Sequence, residues 1–211
     1  TSALPGFQPA SDFIPKDFDA SKWENLEPKY RELLNRELKC AGCVEKLLLD
    51  RSELDAAASE SRARLYIRMT CHTSDEQAKS AYLNYVENIE PKLKQVAFEL
   101  DKKIANCPHT DKLDQTRYGV LIRNMRADVE IFREENVPLQ TEDTKLDQQY
   151  DELSGAMTVD FRGKEHTLPQ MAKYLEETDR QLREEAWRAV ADRRYRDHDR
   201  MNDIFDQMVK I

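Results

Sequence analysis

Glycine is scarce in this chain, with 5 residues in 211, and the 8 prolines are not distributed as regular punctuation. A sandwich or barrel needs a turn signal every ~8–12 residues, so an all-β fold is excluded. Basic residues are also outnumbered: 33 Lys and Arg stand against 41 Asp and Glu, for a net charge of -8. Such a balance repels a polyanion and argues against nucleic acid as a partner. No apolar run approaches the ~18 residues of a membrane span, and the first residues lack a basic segment followed by an apolar one. The chain therefore reads as a cytoplasmic protein with no membrane partner. Cysteine is sparse too, at Cys40, Cys43, Cys71 and Cys107. A chain long enough to bury ~70% of its unfolded surface does not depend on disulfide staples, so a reducing compartment is expected.

What the sequence has in abundance is charge and helical periodicity, with 35% charged and 39% hydrophobic residues. Residues 1–28 hold Pro5, Pro9, Pro15 and Pro28 among Phe7, Phe13, Phe18 and Trp23, which predicts an extended arm laid on the body by its aromatic anchors. A lobe of long helices is expected over 29–156. Helix periodicity runs from Pro28 through Leu33, Leu34 and Leu38, then from Val44 through Leu54 to Met69, with a break at Ala41-Gly42. Thr73 and Glu76 have capping-box spacing. The stripe Tyr82, Tyr85, Ile89, Leu93, Leu100 and Ile104 holds register across Pro91, so the helix there is expected to be kinked but unbroken. Further helices are expected over about 112–133, on Tyr118, Leu121, Ile122, Met125, Val129 and Phe132, and after Pro138, on Leu146, Tyr150 and Leu153.

The period changes once. Residues 157–168 alternate apolar and polar around Gly163, a β-hairpin signal. Thr167 with Gln170, and Thr178 with Gln181, have capping-box spacing, and one last helix is expected to carry Ala186, Val190, Ile204, Phe205, Met208 and Val209 to the end of the chain. No stop signal appears there, so the chain reads as part of something longer, and the four last apolar residues are expected to present an uncovered edge. The fold class is thus all-α: a multi-helix array of long antiparallel helices with one small β-hairpin near 157–168, the segment 157–211 forming hairpin plus helices.

Searches for catalytic chemistry fail. None of His72, His109, His166 and His198 is followed by Glu, so HExxH is absent, and none is preceded by Glu at the third position, which removes the di-iron pattern. The glycines are too scattered for a phosphate loop. Cys40-Ala41-Gly42-Cys43 is a CxxC, and Cys71-His72 and Cys107-Pro108-His109 could add ligands, but intervals of 27 and 35 residues fit no compact zinc module. No strand precedes the CxxC as a thioredoxin-like site would require. The cysteines are read as small apolar residues at helix junctions, His166 and His198 as hydrogen-bonded or solvated. The arginines from Arg180 to Arg200 interleave with Asp179, Glu184, Glu185, Asp192, Asp197 and Asp199, the pattern of a salt-bridged face. No catalytic, cofactor-binding or metal-ligating residue is assigned.

The order of pieces carries more than any single motif. Ile89-x-Pro91 inside a long helix, then Gly155, Val159-Asp160-Phe161-Arg162-Gly163-Lys164 and Thr167-Leu168, then Asp179-Arg180, Arg183 and Ala186, from about Trp23 to Ile211, resemble the N-terminal region of the oligoendopeptidase F family of zinc metallopeptidases, within the thimet oligopeptidase-like superfamily. That family uses HExxH and a later glutamate to bind zinc and activate water. The resemblance implies zinc in the complete enzyme and none bound by this chain, short peptides as substrates of the whole, and a helical half walling a substrate channel. The 211 residues alone are expected to be inactive. A non-catalytic helical scaffold that binds a partner protein remains the alternative, since it needs the same apolar stripes.

Overall fold

The computed structural model describes residues 12–72 and 74–211, and these form two compact units. The first takes the described residues up to Ile67 together with Ser80–Pro138; the second takes Arg68–Lys79 and Leu139–Ile211. Among the described residues the elements are helical apart from one two-stranded sheet, as the periodicity predicts.

In the first unit the segment before α1 lies on the body, with Phe13, Ile14 and Phe18 packed against the core. Its backbone is tied down as well: the Phe13 N–H donates to Glu53 at 2.9 Å, and Lys29 and Arg36 sit 4.6 and 4.9 Å from the Phe13 ring. The part of the expected arm holding Pro5, Phe7 and Pro9 lies outside the described residues. Helix α1 spans Trp23–Asn35, starting earlier than Pro28 suggests, with that proline inside it. Pro28 is the sixth residue of the helix and lacks the N–H that would reach the Glu24 carbonyl, so α1 runs through it with one rung missing. The interruption before α2 (Ala41–Cys71) falls at 36–40, and Ala41-Gly42 are the first two residues of α2.

Helices α3 (Glu76–Asn88) and α4 (Glu90–Ala105) replace the single kinked helix expected around Pro91. The gap is one residue, Ile89, with φ -109° and ψ -51°. Its N–H still donates to Tyr85 and its carbonyl still accepts from Leu93, both at 3.0 Å. Pro91 lacks the N–H that would reach Glu87, and the distortion settles at that missing rung. Ile89 and Leu93 nevertheless join the same core, so register survives the break. Thr73 of the expected capping box lies outside the described residues; Asp75 caps α3, accepting the Gln77 and Ala78 N–H groups at 3.0 Å each. A short 3-10 turn, Thr110–Lys112, precedes α5 (Gln115–Ile131), whose start Asp114 caps through the Thr116 N–H at 2.9 Å. The core joins Leu26 and Leu33 of α1, Leu47 and Leu54 of α2, Leu100 and Ile104 of α4, and Ile122 and Met125 of α5. Leu121, placed by periodicity on the buried stripe, is exposed.

In the second unit α6 (Asn136–Gly155) is longer than its apolar pattern suggests, and Tyr150 is exposed. Strands β1 (Thr158–Phe161) and β2 (Lys164–Thr167) pair antiparallel with Val159 opposite His166. Arg162 and Gly163 both have positive φ, 54° and 76°, which suits a two-residue hairpin loop whose twist matches the strands. The Thr167–Gln170 capping box opens α7 (Leu168–Met171), which passes into a 3-10 turn over Ala172–Glu176. The predicted box at Thr178 is displaced: Asp179 caps α8 (Arg180–Arg196) by accepting from Gln181 and Leu182. The last helix is two, because Asp197 leaves helical geometry before α9 (His198–Lys210). Two small cores result, one of Leu146, Leu153, Met157 and Ile204, the other of Val159, Phe161, Met171 and Ala186.

Candidate functional site

The sequence assigns no catalytic residue, and the groups able to do chemistry are spread over both units. Among the described residues no three His, Cys, Asp or Glu side chains converge as a metal site. The described residues thus offer no ligand set for a zinc ion. His166 lies 3.3 Å from the Tyr174 hydroxyl, edge-on to its ring. His198 Nδ1 is 2.8 Å from the Tyr195 carbonyl and its ring stacks on Tyr195, while its Nε2 is 3.0 Å from Asp199. Both histidines are hydrogen-bonded, as their sequence contexts suggest.

The cysteines depart from expectation. Cys40 and Cys43 are joined in a disulfide, whereas Cys71 is free and exposed and Cys107 free and buried. Reading all four as unpaired thiols overlooked that i and i+3 at a helix start bring two Cα atoms close, here 5.1 Å, inside the bonding range.

Charged side chains line several clefts of the first unit, two of which are built on buried ion pairs. One, of about 650 Å³, is lined by Phe13, Lys29, Glu32, Arg36, Lys46 and Asp50. Asp50 is 1% exposed and faces the Arg36 guanidinium, with Lys46 at 3.4 Å. The other, of about 340 Å³, is built on Arg51, which donates to Asp55 at 3.2 Å and Asp101 at 2.5 Å; Tyr30 donates to Asp55 at 2.6 Å. Burial and the Asp55 carboxylate hold the Tyr30 phenol far above its ordinary range. These carboxylates are matched by cations and hydroxyls, an arrangement that locks helices together. Sequence reading passed over Asp50, although it lies on the Leu47–Leu54 stripe, where a carboxylate requires a buried partner.

The second unit carries a different surface. A cleft of about 550 Å³ is walled by Leu168, Met171, Leu175, Trp187 and Val190, with Arg194 at its edge. Trp187 is 61% exposed. The interleaved charges of α8 do pair: Arg188 with Glu184 at 2.8 Å, Arg193 with Asp197, and Arg162 of the hairpin with Glu185 at 3.3 Å. On α9 the expected apolar edge is half realised. Ile204 is buried and Met208 packs beside it, while Phe205 and Val209 are 63% and 69% exposed.

Residues 13–132 match the family described as the peptidase M3 N-terminal domain. No curated protein gives a match. Among solved structures the chain is similar to a Pz peptidase A bound to an inhibitor, with 23% identity and a TM-score of 0.82 over 94% of this chain and 36% of that one. It is similar to a candidate oligoendopeptidase F, at 22% identity and 0.83 over 94% and 35%. A third likeness is to a candidate oligoendopeptidase F from Bacillus anthracis strain Ames, at 21% and 0.82 over 92% and 36%. At such identities the likeness is one of fold, and the chain spans about a third of the length of each of these proteins.

Proposed function

Because the chain belongs to the family of the peptidase M3 N-terminal domain, we propose that it is the N-terminal helical portion of a zinc-dependent oligoendopeptidase that hydrolyses short peptides. The observation that carries this reading is the family match across the first unit, joined by a fold likeness that continues through the hairpin and α9. In this reading the helices form one wall of the substrate channel. Zinc, the activated water and the general base belong to an HExxH-bearing part, a motif this sequence lacks. A zinc ion held by that part would supply Lewis-acid polarisation of the scissile carbonyl, while the present helices would shape the channel. The exposed Phe205 and Val209 on α9 support the reading, as apolar surface for another part of the enzyme to cover.

The test is an assay of the 211-residue chain on a quenched-fluorescent oligopeptide, with zinc added and then with a chelator. The expected result is no hydrolysis in either condition and no zinc retained after dialysis. Turnover that disappears with chelator would place the catalytic centre within this chain and overturn the division of labour.

A further inference from the structure

The Cys40–Cys43 pair has no part in the function proposed above. It sits where α2 begins: the Cys40 carbonyl accepts the N–H of Cys43 at 3.1 Å and of Val44 at 3.2 Å, so Cys40 is the residue that starts the helix. The Cys40 Sγ accepts the same Cys43 N–H at 3.2 Å. A sulfur held there lies at the positive end of a 31-residue helix, a setting that activates a cysteine. Cys40 is exposed and Cys43 half-buried, so Cys40 is the sulfur that a reagent meets first.

The surrounding chain is held by contacts that do not involve the disulfide. The Lys103 ammonium donates to the carbonyls of Leu33, Leu34 and Arg36 at the end of α1. The Cys107 thiol donates to the Leu38 carbonyl at 3.8 Å, and Val44 and Leu47 just beyond the pair are fully buried. These contacts tie both helix ends independently of the bond.

We propose that Cys40–Cys43 is a reversible thiol–disulfide exchange site, with Cys40 as its reactive sulfur, that equilibrates with small thiols and disulfides of the glutathione class. In the reducing direction a small thiolate attacks the Cys40 sulfur; the Cys40–Cys43 bond breaks, and Cys43 leaves as a thiolate that takes a proton from water. A second small thiolate attacks the small-molecule sulfur of the mixed disulfide, releasing a symmetrical small disulfide and the Cys40 thiolate. Two electrons pass from two small thiols to the pair, and oxidation by the small disulfide retraces the steps.

The molecule contains its own control. Cys71 is the last residue of the same helix, exposed and free, at the opposite end from Cys40. The experiment reduces the chain with a dithiol, removes the reductant, and pulse-alkylates with iodoacetamide at neutral pH, reading each cysteine by peptide mass spectrometry. Cys40 is expected to react several-fold faster than Cys71, because its sulfur sits at the start of the helix and accepts the Cys43 N–H. In glutathione buffers of graded poise the Cys40–Cys43 disulfide should open and re-form with an unchanged helical circular dichroism spectrum, and Cys43→Ser should trap Cys40 as a mixed disulfide with glutathione while keeping its fast alkylation. Equal alkylation of Cys40 and Cys71, failure of the disulfide to re-form, or loss of helicity on reduction would each overturn the proposal.

Discussion

The Tyr85 hydroxyl donates to the Ala58 carbonyl at 2.9 Å, joining α3 to the middle of α2 inside the first core. The ring is 1% exposed, and burial, followed by the Glu90 carboxylate, pushes its phenol up to about 12. Tyr85→Phe removes one net hydrogen bond and is expected to cost about 1 kcal/mol in urea unfolding at neutral pH. The alkaline behaviour has a fixed sign. An acid whose folded pKa lies above its unfolded value of 10.0 lowers stability as pH rises through the window between them. The wild type should therefore lose stability from about pH 10 upwards more steeply than Tyr85→Phe; identical slopes would contradict the assignment.

Arg36 pairs with the buried carboxylate of Asp50. Arg36→Met removes the principal cation from a carboxylate that is 1% exposed, leaving Lys46 at 3.4 Å. The expected loss is about 3 kcal/mol, the size seen when one member of a buried pair is deleted. Arg36→Met combined with Asp50→Leu should recover most of it, a non-additivity that a double-mutant cycle reads directly.

Helix α8 offers a test of where its start lies. The Asp179 carboxylate, not the Thr178 hydroxyl, accepts the Gln181 and Leu182 N–H groups. Asp179→Ala should cost about 1 kcal/mol, and Asp179→Asn much less, because asparagine caps as well. A larger loss from Thr178→Ala than from Asp179→Ala would return the start of the helix to the capping box that the sequence suggests.

On α6, Asp147 has its carboxyl held above its ordinary value by partial burial and by Asp143 and Asp151, one turn away on either side. Ionisation therefore lowers stability as pH rises through and above 3.8, and the deficit persists at neutral pH. Asp147→Asn should raise stability by up to about 0.5 kcal/mol at pH 7, from two relieved like-charge contacts at a solvent-screened site. The two proteins should converge once pH falls below the carboxylate range.

Much of this architecture is legible in periodicity because burial follows it: Leu54, Leu100 and Ile104 are fully buried where their stripes place them. The misses are local and have local causes. One-residue breaks at Ile89 and Asp197 leave the apolar register intact, so period alone passes over them. Asp179 takes the cap from Thr178 because only the exact backbone turn decides which oxygen points at the free N–H groups. Leu121 and Tyr150 lie on stripes wider than the surface that covers them. The Asp50–Arg36 pair and the Lys103 contacts to the end of α1 join residues 14 to 70 positions apart, and nothing in local pattern announces them. The absence of HExxH, by contrast, is entirely a matter of sequence.

The central claim, that this chain is the N-terminal portion of a zinc oligoendopeptidase, is tested most directly by expressing the full reading frame that encodes it and measuring hydrolysis of a quenched-fluorescent oligopeptide. The account predicts a product that carries an HExxH motif outside these 211 residues, cleaves the peptide, and loses activity both with a chelator and on substitution of the motif glutamate. A full-length product with no such motif and no hydrolysis would contradict it, leaving an M3-type helical fold put to another use.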